Sequence, residues 1–153
     1  MSPITGEWNR GVKVGTIVKR NDLYSLEINR LKKPIVYCNG FLPDKRQMFS
    51  INVPLAKKLQ NINPHRRGMR LEQCFRELLK ELPDNPVLTD YELLFNPEYQ
   101  IDVLRVLVSV CKEKPFELIW AGTYENGKLI YSKEEYPDYQ AFEIDNYDVT
   151  CVI

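Results

Sequence analysis

The chain has 153 residues, with 21 Lys and Arg against 21 Asp and Glu, so its formal net charge is zero. That length suits one domain with a real core, and the balance removes any global pull toward nucleic acid or an anionic membrane. Hydrophobic residues make up 44% and charged residues 27%, an ordinary globular balance, and no apolar run approaches the ~18 residues of a membrane-spanning helix.

The opening MSPITGEWNRG has no apolar core and no cleavage signature, so no signal peptide is expected. Residues 12–28 alternate in two period-2 runs around Asn21-Asp22, which predicts a β-hairpin. A helix over 22–33 competes, because LYSLEINRLKK could also wind. PIVYCN (34–39) is a compact apolar strand ending at Gly40, FLPDKRQ a loop, and MFSINV (48–53) a second short strand. PLAKKLQN (54–61) begins with proline, which suits the first turn of a helix. NPHRRGM interrupts it.

The stretch 70–82 places Leu71, Cys74, Phe75, Leu78, Leu79 and Leu82 at helical spacing. Residues 86–91 read as a strand. Residues 97–112 read as a largely buried helix opened by Pro97, and 116–122 as a strand. TYENGKLIYS reads as a hairpin turning on Asn126-Gly127. A last strand is expected near 140–144, and DNYDVTCVI adds an edge. The alternation from residue 48 onward argues for an α/β domain with a parallel core sheet. The whole chain, 1–153, reads as one domain, with a β-rich part over 1–40 and an α/β part over 41–153.

Chemistry-bearing residues are sparse. The cysteines at 38, 74, 111 and 151 form no CxxC pair, so buried free thiols in a reducing cytoplasm are expected. His65 is the single histidine, which excludes a metal cluster built on several imidazoles. It lies in a Pro/Arg-rich connector that does not suggest a catalytic triad. Residues 65–70, HRRGMR, are basic, whereas 134–148 hold six acids and no base. These read as solvated surface patches or as contact surfaces for partners of opposite sign.

Three segments carry a resemblance. SINVPLAKKLQNINPHRRGMRLEQCFRELL, YELLFNPEYQIDVLRVLVSVCKEKPFELIWAG and GKLIYSKEEYPDYQ resemble, in order and spacing, BrxF, a small P-loop ATPase-like protein of type 3 BREX phage-defence systems. The resemblance spans about residues 48–143. It implies a P-loop-NTPase-like, mostly parallel sheet with flanking helices, a strand–turn–helix and Arg-bearing connector, a Walker B strand and a Trp-ending strand; with the readings above, β-hairpins then lie at both ends. The terminal hairpin usually carries His-Pro-Glu-Tyr where this chain has Tyr136-Pro137-Asp138-Tyr139.

The chain departs from that pattern at its chemistry. Triphosphate binding needs a Gly-rich loop followed by Lys and Ser/Thr, and no GxxxxGK[ST] occurs. Only FLPDKRQ separates Gly40 from Met48, and a parallel crossover with its own helix needs about 10–12 residues or more. The phosphate loop is therefore degenerate, and Lys45 has no glycine cradle to serve. The family's Leu-Asp-Asn-x-Glu-Leu-Leu-Phe puts its aspartate at Thr89, leaving Asp90 one residue out of register, where strand alternation turns it to the other face. Lys112 and Lys114 fall within the family's Ser-Arg-Asn-Arg, and lysine lacks the guanidinium fork. Glu92, Trp120 and Gly122 match.

The expectation is a non-hydrolysing P-loop-like subunit of a bacterial, cytoplasmic defence assembly, without cofactor. It would contact other defence-system proteins, or DNA, through Arg66, Arg67, Arg70, Lys112 and Lys114. One alternative is an active ATPase with an unconventional phosphate loop, in which Asp90 and Glu92 serve ATP and magnesium. Another is a stand-alone inhibitor or immunity-type binding module.

Overall fold

Six short strands form one wholly parallel sheet in the computed structural model, which describes residues 13–25 and 30–153. In chain order these strands are β1 (Thr16–Val18), β2 (Ile35–Tyr37), β3 (Met48–Ser50), β4 (Val87–Thr89), β5 (Glu117–Ile119) and β9 (Thr150–Val152). Their spatial order is β1-β9-β2-β5-β4-β3. A separate antiparallel sheet joins β6 (Thr123–Glu125), β7 (Lys128–Tyr131) and β8 (Gln140–Glu143). Among the described residues three α-helices complete the fold: α1 (Asn52–Gln60), α2 (Arg67–Lys80) and α3 (Val103–Glu113).

The parallel α/β core agrees with the alternation of strands and helices. So does the hairpin at Asn126-Gly127, where φ is +49° and +80°, the signs a two-residue primed turn requires. The N-terminal hairpin does not form. β1 pairs in parallel with β9, and residues Arg20–Ser25 wind into a 3-10 helix instead of a returning strand. The expected second strand partly falls on 26–29, outside the described residues. The strand near the C-terminus forms, but as an interior one: β9 lies between β1 and β2, and its three residues are buried.

Helix boundaries shift for local reasons. Pro97 opens only a 3-10 turn, capped by the Asn96 side chain, and Gln100 then takes a left-handed φ of +51°. α3 begins after Asp102, whose carboxylate accepts from the Arg105 N–H at 3.0 Å and from the Tyr147 hydroxyl at 2.7 Å. α2 starts earlier than the apolar spacing indicates, so Arg67, Gly68 and Met69 form its first turn and do not break it.

The two sheet faces differ. Val36, Cys38, Leu88, Leu118 and Cys151 pack into one core with the buried faces of α1, α2 and α3. The opposite face carries Val18, Ile35, Tyr37 and Val152, covered by Leu23 of the 3-10 helix and by Leu31, Phe41 and Leu42. Phe41 and Leu42 belong to the link between β2 and β3. That link passes over β5 and β4 in only ten residues, 38–47, and contains no helix. All four cysteines are free and buried. Among the described residues no helix is long and apolar enough to cross a membrane.

The small sheet is docked at Gly122, where an added Cβ would sit 1.9 Å from the Ile130 carbonyl oxygen. Gly40, by contrast, has open space around it and is required only for its φ of +70°. Gly122→Ala should therefore cost about 3 kcal/mol through overpacking, and Gly40→Ala about 1 kcal/mol through backbone strain. Urea unfolding of the two variants measures the difference, and equal losses would refute the close approach.

Candidate functional site

Open parallel sheets bind ligands outside the carboxyl ends of their strands, and the Walker-B-like segment lies there. Asp90 follows β4 directly but is not part of the strand: its φ is +50° and its side chain is exposed. The alternation argument for its direction therefore lapses, because alternation holds only within the strand. The bend serves the backbone. The Asp90 carbonyl accepts from the N–H groups of Ile51 (3.2 Å) and Asn52 (2.6 Å), tying the end of β4 to the start of α1. The Asn52 side chain completes the link, accepting from the Leu93 N–H at 2.8 Å and donating to Glu92 at 3.3 Å.

Tyr91 occupies the space beside these groups. It is buried, donates its hydroxyl hydrogen to the Ile119 carbonyl at 2.6 Å and accepts from the Ala121 N–H at 3.0 Å. Burial pushes its pKa well up, so it remains a neutral plug. Trp120 is equally occupied. Its indole N–H is shared by the Thr123 and Ile130 carbonyls, both at 3.1 Å, and its ring packs edge-on against Phe95 and Phe142. The exit from β5 thus holds the antiparallel sheet in place.

These residues do not fit a magnesium nucleotide. Thr89 stands at the aspartate position, Asp90 is exposed in a left-handed bend, and Asn39-Gly40 form a tight turn closed by Phe41 N–H to the Cys38 carbonyl at 3.3 Å. Among the described residues no group of three or more His, Cys, Asp or Glu side chains is arranged to hold a metal ion.

The basic candidates separate into two kinds. Arg67 caps the end of α1, its Nε donating to the Leu59 carbonyl at 3.0 Å and the Ile62 carbonyl at 3.1 Å. Lys114 caps the end of α2, donating to the Leu79 carbonyl at 2.5 Å and also to that of Leu82. Both are committed to the fold. Arg66, Arg70 and Lys112 are exposed and make no ion pair with the described residues. The acidic segment is less isolated than its sequence suggests: Asp145, Asp148 and Glu143 pair with Lys13, Lys32 and Lys128.

A buried polar cluster around Glu117 was not signalled by any motif. Glu117, 1% exposed, opens β5 on the face covered by Leu23, Leu31, Phe41 and Leu42. Arg46 grips it with two nitrogens at 2.6 and 2.8 Å. The Asn85 amide donates at 2.5 Å, the Tyr37 hydroxyl donates as well, and the Lys33 ammonium lies 3.7 Å away. Burial pushes the Glu117 carboxyl up, but hydrogen bonds from Arg46, Tyr37 and Asn85 outweigh it and the net shift is downward. Burial and the neighbouring carboxylate push Tyr37 strongly up. A charged residue opening an otherwise apolar strand (FELIW) is the one sequence signal that could have pointed here.

No family model, curated protein or solved structure matches the chain.

Two outcomes test the cluster. Arg46→Met should lose stability at neutral pH by up to about 3–5 kcal/mol, since the buried Glu117 carboxylate then keeps only Lys33, 3.7 Å away, as a charged partner. Glu117→Gln should lose less, because the Arg46 left behind is 32% exposed and still pairs with Asp44 at 2.8 Å. The pH dependence has a definite sign. Glu117 is held below its ordinary pKa, so its contribution is present above about pH 4.3 and is lost as pH falls through the folded value. Urea midpoints measured against pH should show this acid loss in the native chain and not in Glu117→Gln. Separately, Arg67→Ala should lower stability by about 1 kcal/mol and Arg66→Ala by less than about 0.5 kcal/mol.

Proposed function

We propose that the chain is a non-hydrolysing P-loop-like subunit of a bacterial phage-defence assembly of the BREX type, acting through protein contacts. The observation that carries this reading is the ten-residue link 38–47. It joins two parallel strands three places apart in the sheet with neither a glycine-rich loop nor a helix. Its space against the sheet is taken by Phe41, Leu42 and the Arg46–Glu117 cluster. About two-thirds of the chain resembles BrxF, and the resembling segments fall in order on elements of one α/β core: α1 and α2, then α3 and β5, then the antiparallel sheet. Fold retained and phosphate chemistry lost is the pattern of a subunit kept for its surfaces.

An active ATPase requires groups that are elsewhere engaged: the carboxyl ends of β4 and β5 are closed by Tyr91. A DNA role would rest on Arg66, Arg70 and Lys112, since Arg67 and Lys114 cap helices.

Thermal unfolding with saturating ATP and magnesium should show no upward shift, since a ligand at about 100 times its Kd stabilises by about 2.7 kcal/mol. A clear stabilisation that disappears in Glu92→Gln would overturn the non-hydrolysing reading. Co-expression with the neighbouring genes should bring down at least one protein partner, and recovery of the chain alone at every salt concentration would count against a subunit role.

A further inference from the structure

The basic connector and the acidic turn, which sequence reading leaves as two unassigned patches, carry opposite charge. The connector side is a groove of about 590 Å³ lined by Pro64, His65, Gly68, Met69, Glu98 and Tyr99. Met69 is 84% exposed on its wall. The exposed Arg66 and Arg70 flank Met69 in sequence, and neither makes an ion pair with the described residues. An exposed methionine is a soft, polarisable contact for an aromatic ring.

The other side is a projecting turn between β7 and β8. Two successive backbone bonds shape it: the Tyr136 N–H to the Lys133 carbonyl at 2.9 Å, and the Tyr139 N–H to the Tyr136 carbonyl at 3.2 Å. Asp138 braces it by accepting from the Ser132 hydroxyl at 2.7 Å. Tyr136 is left 53% exposed at the tip, preceded by the exposed Glu134 and Glu135. A tyrosine on a preformed turn loses little entropy on docking and offers both apolar area and a polar end.

The arginines beside the groove are opposite in sign to the acids beside the tyrosine, and Glu98 in the groove is opposite in sign to Lys133 on the turn. No hydrogen bond or ion pair joins residues 64–70 to 133–138 within the chain, among the described residues. We infer that the occupant of the groove is a second copy of this chain, which inserts Tyr136 between Met69 and Tyr99 while Glu134 and Glu135 pair with Arg66 and Arg70. The contact is head-to-tail: each copy uses a different surface, so it builds a closed ring or an open chain of subunits. Its charge pairing makes it weaken with salt. A net charge of zero permits this, because the opposite patches attract between copies without overall repulsion.

Sedimentation velocity over a concentration series tests it. The native chain should associate at low salt and dissociate at high salt. Tyr136→Ala should weaken association at least about tenfold, as should Arg66→Glu/Arg70→Glu and Glu134→Arg/Glu135→Arg. Each variant's melting curve should stay close to native, since every changed residue is exposed. Mixing the two charge-reversed variants should restore association, because each then meets an opposite charge at both of its contacts. Three results overturn the inference: a monomer at every concentration in low salt, association that survives reversal of either patch, or reversed variants that stay monomeric when mixed. A groove occupied only by DNA or by a different acidic protein would give the first of these.

Discussion

The Arg46–Glu117 pair is the constraint that allows a helix-free parallel crossover to exist. A link of ten residues running between the carboxyl end of β2 and the amino end of β3 must cross the sheet face that a helix would ordinarily cover. Phe41 and Leu42 bury some apolar surface there, but two side chains cannot fix the path of ten residues. The bidentate guanidinium fixes it near its end, at the amino terminus of β5. The carboxylate is held in turn by Tyr37 from β2 and Asn85 from the turn before β4. Three separate chain segments therefore meet on one buried charge. Such a pair adds little net stability over apolar side chains of equal size, yet breaking it from one side is costly. Its value here is positional: it admits one route for the link.

That route also governs what the carboxyl edge can do. A glycine-rich phosphate loop would begin after Cys38, where the chain instead turns sharply at Asn39-Gly40 and returns across the sheet. The carboxyl edge closes on itself. The Tyr91 hydroxyl bridges the Ile119 carbonyl and the Ala121 N–H, and Asn52 ties Leu93 and Glu92 to the start of α1. Of the positions read as matching, Trp120 and Gly122 act in the docking of the antiparallel sheet, and Glu92 accepts from the Asn52 side chain at 3.3 Å. Trp120 and Gly122 thus have a packing role in this fold that needs no ligand.

How much of this the sequence discloses depends on the range of the interaction. α2 and α3 were legible because their apolar spacing is local and strong, and the Asn126-Gly127 turn because its φ signs belong to two adjacent residues. The N-terminal hairpin was misread because alternation in 12–18 marks a strand without naming its partner, and the partner is β9, more than a hundred residues away. The exit of β4 was misread for a related reason. Periodicity treats Asp90 as a strand residue, whereas bonds from Ile51 and Asn52 bend it into the left-handed region. The Glu117 cluster depends on partners at 33, 37, 46 and 85, so no window of the sequence contains it.

The basic residues show how a charge run resolves once the backbone is placed. In HRRGMR and CKEK the cations are interchangeable as letters. In space Arg67 and Lys114 each point at the carbonyls of a helix end, where their charge meets the negative pole of the helix and satisfies oxygens that have no partner in the turn. Their removal would act on stability first and on any partner second. Arg66 and Arg70 carry no such duty and stand beside the exposed Met69. The same sorting applies to the acids, where Glu143, Asp145 and Asp148 are paired and Glu134 and Glu135 have no ion pair among the described residues. Removing the paired charges from both lists leaves two short, oppositely charged surfaces, each centred on an exposed side chain that water solvates poorly. That residue of unspent charge beside apolar surface, rather than the net charge of the chain, is what a partner would meet.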